Sequence, residues 1–137
     1  MKQHKNSGFS LVELVIVIAI MAILMGILTP MYLRYVEESR TTRDEQFSDE
    51  VRKACEVLIN DTDENLETGS YVISITPNNN VSITTSGGGN ALHLDTYLKT
   101  VLGDDYACTK LKSRSYSEIE VIFTNTSSPV CNIKKYN

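Results

Sequence analysis

The chain has 137 residues, 42% of them hydrophobic and 22% charged, with a formal net charge of -4. That length allows one domain with an appended segment, and the acidic balance argues against a general nucleic-acid-binding field or a polybasic membrane-surface protein. The average hides an asymmetry: 17 of the 20 residues from Phe9 to Leu28 are apolar, whereas the chain after Arg34 has the composition of an ordinary polar domain.

Residues 1–8 carry Lys2 and Lys5 and no acid. The apolar block that follows spans about 30 Å as a helix, the thickness of a bilayer hydrocarbon core. The positive-inside tendency keeps the basic leader in the cytoplasm and exports the rest. Thr29-Pro30-Met31-Tyr32 stands where a secretory signal peptide would place small residues for cleavage, so the apolar segment is expected to stay. Glu13 interrupts it. An ionised carboxylate in hydrocarbon costs on the order of 3 kcal/mol at the bilayer centre and less near an end, so Glu13 either stays at the headgroups or needs a partner.

The run Gly8-Phe9-Ser10-Leu11-Val12-Glu13-Leu14-Val15-Ile16-Val17-Ile18-Ala19-Ile20 joins a short basic leader ending in Gly, a Phe directly after it, a Glu at the fifth position beyond it and an unbroken apolar helix. This combination closely resembles the start of a type IV prepilin, over about residues 1–35. The resemblance implies that a prepilin peptidase cuts between Gly8 and Phe9 and methylates the new amino terminus of Phe9. The cut removes two of the 13 basic residues, leaving 129 residues with 11 basic against 17 acidic side chains, a net of -6. It further implies that Glu13 pairs with the amine of a neighbouring subunit during assembly. A buried charge left without its partner costs roughly 3 to 5 kcal/mol, which would favour the correct register.

The implied fold is α+β and type IV pilin-like: a long N-terminal α-helix, apolar in its first half and amphipathic in its second, packed on an antiparallel β-sheet. The implied partners are further copies of the chain, the prepilin peptidase, the pilus assembly machinery and minor pilins, with the membrane as the station before an extracellular filament of the kind used in adhesion and motility. A pseudopilin of a type II secretion or DNA-uptake machine shares every N-terminal feature. From a different class comes an unprocessed single-span anchor that holds a binding domain outside the membrane.

The chain divides into a leader at 1–8, an apolar helix at 9–33, an amphipathic continuation at 34–59 and a head at 60–137. Gly26 and Pro30 predict a kink or melted turn, because proline removes a helix hydrogen bond and disfavours helical geometry at Thr29. Met31 to Ile59 contains neither Gly nor Pro and reads as helix. Its stretch Glu37 to Gln46 offers ten polar positions and no face to bury, a neck that is either solvated or lines subunit contacts. Phe47, Val51, Ala54 with Cys55, and Leu58 then recur as a stripe that packs on a core.

Asn60 to Asn65 forms an acidic loop whose Asp61, Asp63 and Asn65 alternate as in a calcium site, but Leu66 and Val72 occupy the positions that need Gly and Glu, and no metal site is expected. Tyr71 to Thr76 and Val81 to Thr84 predict a hairpin across Pro77-Asn78-Asn79-Asn80. After Gly87-Gly88-Gly89, a short helix is expected with Asn90 as cap, Leu94, Tyr97, Leu98, Val101 and Leu102 as its apolar face and Gly103 as its stop. Strands are expected at Tyr106 to Leu111, Glu118 to Thr124 and Val130 to Tyr136.

Three cysteines in an exported domain predict one disulfide and one remaining thiol. Cys108 with Cys131 is the favoured pair, since both fall in expected C-terminal strands and the resemblance implies a stapled C-terminal region; Cys55 with either, or three free thiols, stay open. His93 stands alone, no nucleophile–base set and no phosphate-binding glycine loop can be assembled, and neither an enzyme nor a cofactor is expected. Lys110, Lys112 and Arg114, or Lys134 and Lys135, offer local positive charge, but a net of -6 after cleavage argues against nucleic acid as a partner.

Overall fold

A computed structural model describes residues 8–60, 66–126 and 129–137. The chain forms two compact units, one ending at Val36 and the other running from Glu37 to Asn137. Helix α1, Leu11–Asn60, supplies the first unit and the opening of the second. The acidic loop at 61–65, with the weighed calcium-like positions Asp61 and Asp63, lies outside the described residues.

In the first unit α1 runs through Gly26 and Pro30 as continuous helix in the single chain. A single proline deletes one intrahelical bond, and the flanking turns hold the conformation. The Thr29 hydroxyl adds a bond of its own to the Met25 carbonyl at 2.6 Å.

The second unit is α+β. The rest of α1 packs on a four-stranded antiparallel sheet of β1, Gly69–Ile75, β2, Ser82–Ser86, β3, Glu118–Asn125, and β4, Val130–Tyr136. The spatial order is β2-β1-β3-β4, with β1 and β2 forming the expected hairpin. Strict alternation builds the core face: Tyr71, Ile73 and Ile75 of β1 and Ile119, Val121 and Phe123 of β3 are fully buried. Tyr71 lies directly opposite Phe123, their rings stacked 4.7 Å apart. The predicted stripe of α1 closes this core from above, with Val51, Ala54, Cys55 and Leu58 buried.

Helix α2, Ala91–Leu102, crosses between β2 and β3. The Asn90 side chain caps it by accepting the Leu92 and His93 N–H groups at 3.0 and 3.4 Å. Gly103 ends it with φ +92°, a conformation that favours glycine. Leu94 and Leu98 are buried, whereas Val101, expected on the same face, is exposed. The strand expected at Tyr106 to Leu111 is also corrected: Asp104–Cys108 is a 3-10 helix followed by a loop to Ser117. Tyr106 is held in the core, its hydroxyl bonded to Asp95 of α2.

Candidate processing and assembly site

The first unit holds Gly8, Phe9, Ser10 and Glu13 together at the start of α1. Phe9 is 93% exposed. The Ser10 backbone N–H donates to Glu13 Oε2 at 2.8 Å, half of a capping box written in the order Ser-Leu-Val-Glu. The acid that the sequence marks as needing a partner thus satisfies an otherwise unpaired donor of its own helix. Every residue from Gly8 to Tyr35 is exposed. Among the described residues α1 is the one helix long and apolar enough to cross a membrane. An apolar surface of that length around a whole helix requires hydrocarbon or other apolar helices.

The second unit corrects the reading of the neck as faceless. Extending the stripe Leu58, Cys55, Val51 upstream at the same three- and four-residue spacing reaches Ser48, Asp44, Thr41 and Glu37. Asp44 and Ser48 are almost wholly buried. Each side chain of this polar half bonds to something. Asp44 Oδ2 accepts the backbone N–H groups of Lys112 and Ser113 at 2.8 and 2.7 Å, and Arg43 reaches its other oxygen at 3.3 Å. Glu37 accepts the Arg114 backbone N–H and, at 3.1 Å, the Ser113 hydroxyl. Thr41 Oγ1 lies 2.8 Å from Ser113 Oγ, and the Ser48 hydroxyl donates to the Glu45 carbonyl at 2.8 Å. At Lys112, Ser113 and Arg114 the loop 109–117 therefore takes its backbone partners from helix side chains, while the Leu111 N–H donates to the Thr76 carbonyl at 3.2 Å and the Ser117 N–H to the Tyr136 carbonyl at 2.8 Å.

Glu45, in the stretch read as a neck, accepts the Tyr116 hydroxyl and the Lys135 ammonium, each at 2.6 Å. These two partners, Lys135 first, hold its carboxyl below the ordinary glutamate range. The Arg114 backbone N–H does the same for Glu37 against a smaller opposing effect of burial. Of the basic residues weighed for nucleic acid, Lys110 donates to the Asn78 carbonyl at 3.3 Å, Lys135 is paired with Glu45, and Lys134 stands opposite Glu120 in the β3–β4 register.

No bond joins the cysteines in this structure: Cys55 is buried, Cys108 exposed and Cys131 half-buried. The favoured Cys108–Cys131 bridge is not made, and the topology gives the reason. Cys108 closes the 3-10 helix whose Ala107 carbonyl accepts the Val81 N–H at 3.0 Å, beside β2, while Cys131 lies on β4 at the opposite edge of the sheet. Three inter-strand spacings put those edges about 14 Å apart, against a Cα separation of at most about 7 Å in a disulfide. Among the described residues no three His, Cys, Asp or Glu side chains converge to hold a metal.

The prokaryotic N-terminal methylation motif, the type IV prepilin-type signature, matches residues 3–29. No curated protein and no solved structure matches the chain.

Proposed function

We propose that this chain is a type IV pilin: a structural, non-catalytic subunit inserted with its leader in the cytoplasm, cut between Gly8 and Phe9, methylated at Phe9 and polymerised into an extracellular filament. The observation that carries this reading is the methylation motif over residues 3–29. The exposed apolar helix supports it, since the same surface suits a bilayer before assembly and a packed helical core afterwards. On this reading Glu13 exchanges its bond to the Ser10 N–H for the Phe9 amine of a neighbouring subunit. Gly26 and Pro30 mark the weakest stretch of the helix, where assembly would melt a turn already lacking one hydrogen bond.

The partners on this reading are other copies of the chain, the prepilin peptidase and the pilus assembly machinery. Mass spectrometry of the N-terminal peptide from material sheared off the cell surface, compared with the membrane fraction, tests it. A peptide beginning at methylated Phe9 in the sheared polymer is the expected result. An intact Met1 confined to the membrane overturns the reading in favour of an unprocessed anchor.

A further inference from the structure

We propose that Cys55 and Cys131 are the disulfide pair of this protein, a covalent link between α1 and the edge strand β4. Where the bond forms in the cell rests on the exported domain proposed above; the pairing rests on geometry alone.

Cys55 is fully buried on the α1 stripe, and Cys131 packs against the same core cluster from β4. Cys131 Sγ stands 3.8 Å from the Arg52 carbonyl oxygen. Side chains of an α-helix lean toward its N-terminus, so residue 55 covers the turn that carries the carbonyl of residue 52. Cys131 Sγ therefore meets α1 at the spot over which the Cys55 side chain lies. The two sulfurs are close enough that a charge on one disfavours a charge on the other, which adds to the effect of burial on Cys55. Cys108, beside β2, lies at the opposite edge of the sheet from Cys131.

Access is one-sided. Cys131 opens onto a groove lined by Glu56, Ile59, Asn60 and Pro129, whereas Cys55 has no solvent exposure. The oxidant is an external disulfide, of a protein thiol oxidase or of a small thiol such as glutathione. The Cys131 thiolate attacks one donor sulfur, breaking the donor S–S bond and releasing one donor thiol. The Cys55 thiolate then attacks the Cys131 sulfur of the mixed disulfide and expels the second donor thiol. Two protein thiols are oxidised, the donor disulfide is reduced to two thiols, and the two protein protons leave with them. Burial raises Cys131 to about 11 and Cys55 further still, so exchange is slow in the folded domain and runs while α1 docks on the sheet.

The test uses the full chain in detergent, unfolded and refolded in a reduced and oxidised glutathione couple, then alkylated and digested without reduction. The expected product is one peptide pair joining Cys55 to Cys131, with Cys108 alkylated. Reduction should lower Tm by on the order of 10 °C, a shift kept in Cys108→Ser and lost in Cys131→Ala. Alkylation of both Cys55 and Cys131 after refolding, or Cys108 in the cross-linked peptide, overturns the pairing. The link forming with glutathione while chain taken from cells remains reduced would count against the exported location and leave the pairing standing.

Discussion

Asp44 and Ser113 are 69 positions apart in the chain, yet the Asp44 carboxylate accepts the Ser113 backbone N–H at 2.7 Å from an almost wholly buried site. The same oxygen takes the Lys112 N–H at 2.8 Å, so one side chain of α1 satisfies two consecutive backbone donors of the loop 109–117. Asp44→Ala leaves both donors without an acceptor and should destabilise the domain by about 2 to 4 kcal/mol. Asp44→Asn keeps an oxygen but loses the charge, and roughly half that loss is expected. Urea unfolding of the two variants measures both values, and a change in Asp44→Ala below about 0.5 kcal/mol would show that the loop is held by other contacts.

Glu13 is the acid of the apolar helix, and its exposed carboxylate bonds only locally in the single chain. On the proposed function, Glu13→Ala should leave membrane insertion intact while abolishing or crippling filament assembly, because the Phe9 amine of a neighbouring subunit would then be buried without a counter-charge. Membrane fractionation and the yield of sheared polymer read the two effects separately. Wild-type amounts of filament would sink the pairing role.

Acid should loosen the grip of α1 on the rest of the second unit. Glu37 and Glu45 both have folded-state values below the ordinary 4.5, held down by the Arg114 N–H in one case and by Lys135 and Tyr116 in the other. Their contribution is thus fully present above pH 4.5 and is lost as pH falls through the lowered folded values. Tm measured from pH 7 downward should fall below that point. Glu45→Gln should flatten the fall; an identical profile in this variant would remove Glu45 from the account.

Gly69 and the glycine triplet depend on each other. A Cβ at Gly69 would stand 2.9 Å from the Gly89 nitrogen and 3.0 Å from the Ser86 carbonyl oxygen, both backbone atoms, while Gly87 and Gly88 turn the chain with φ of +83° and +102°. Gly69→Ala should destabilise by about 1 to 3 kcal/mol, since backbone has to move. Gly26→Ala meets nothing within 4 Å and serves as the control for thermal melting.

Periodicity made much of the fold readable in advance. Alternation named the buried faces of β1 and β3, and the stripe Val51, Cys55, Leu58 named the packing face of α1, because water exclusion acts on each element separately. Asn90 and Gly103 announced the ends of α2 through local backbone chemistry. The polar half of the α1 stripe went unread, although Glu37, Thr41, Asp44 and Ser48 keep the helical spacing. Hydrophobicity carries no record of a face that is buried by hydrogen bonds.

By itself the sequence determined the basic residues Lys2 and Lys5 ahead of an apolar segment long enough to cross a membrane, the Gly-Phe junction with Glu13 placed after it, and the alternating and helical patterns that yield an α+β domain. All of these are consequences of neighbours within a few residues along the chain. Only the tertiary structure decided that Asp44 and Glu37 clasp the loop 109–117, that Tyr106 belongs to a 3-10 helix in place of a strand, and that Cys131 meets α1 at the Arg52 carbonyl while Cys108 sits beside β2. Those outcomes depend on strand order and on which side chain of a helix meets which turn, and both arise from closing long loops against a common core, a geometry that local residue preferences do not encode.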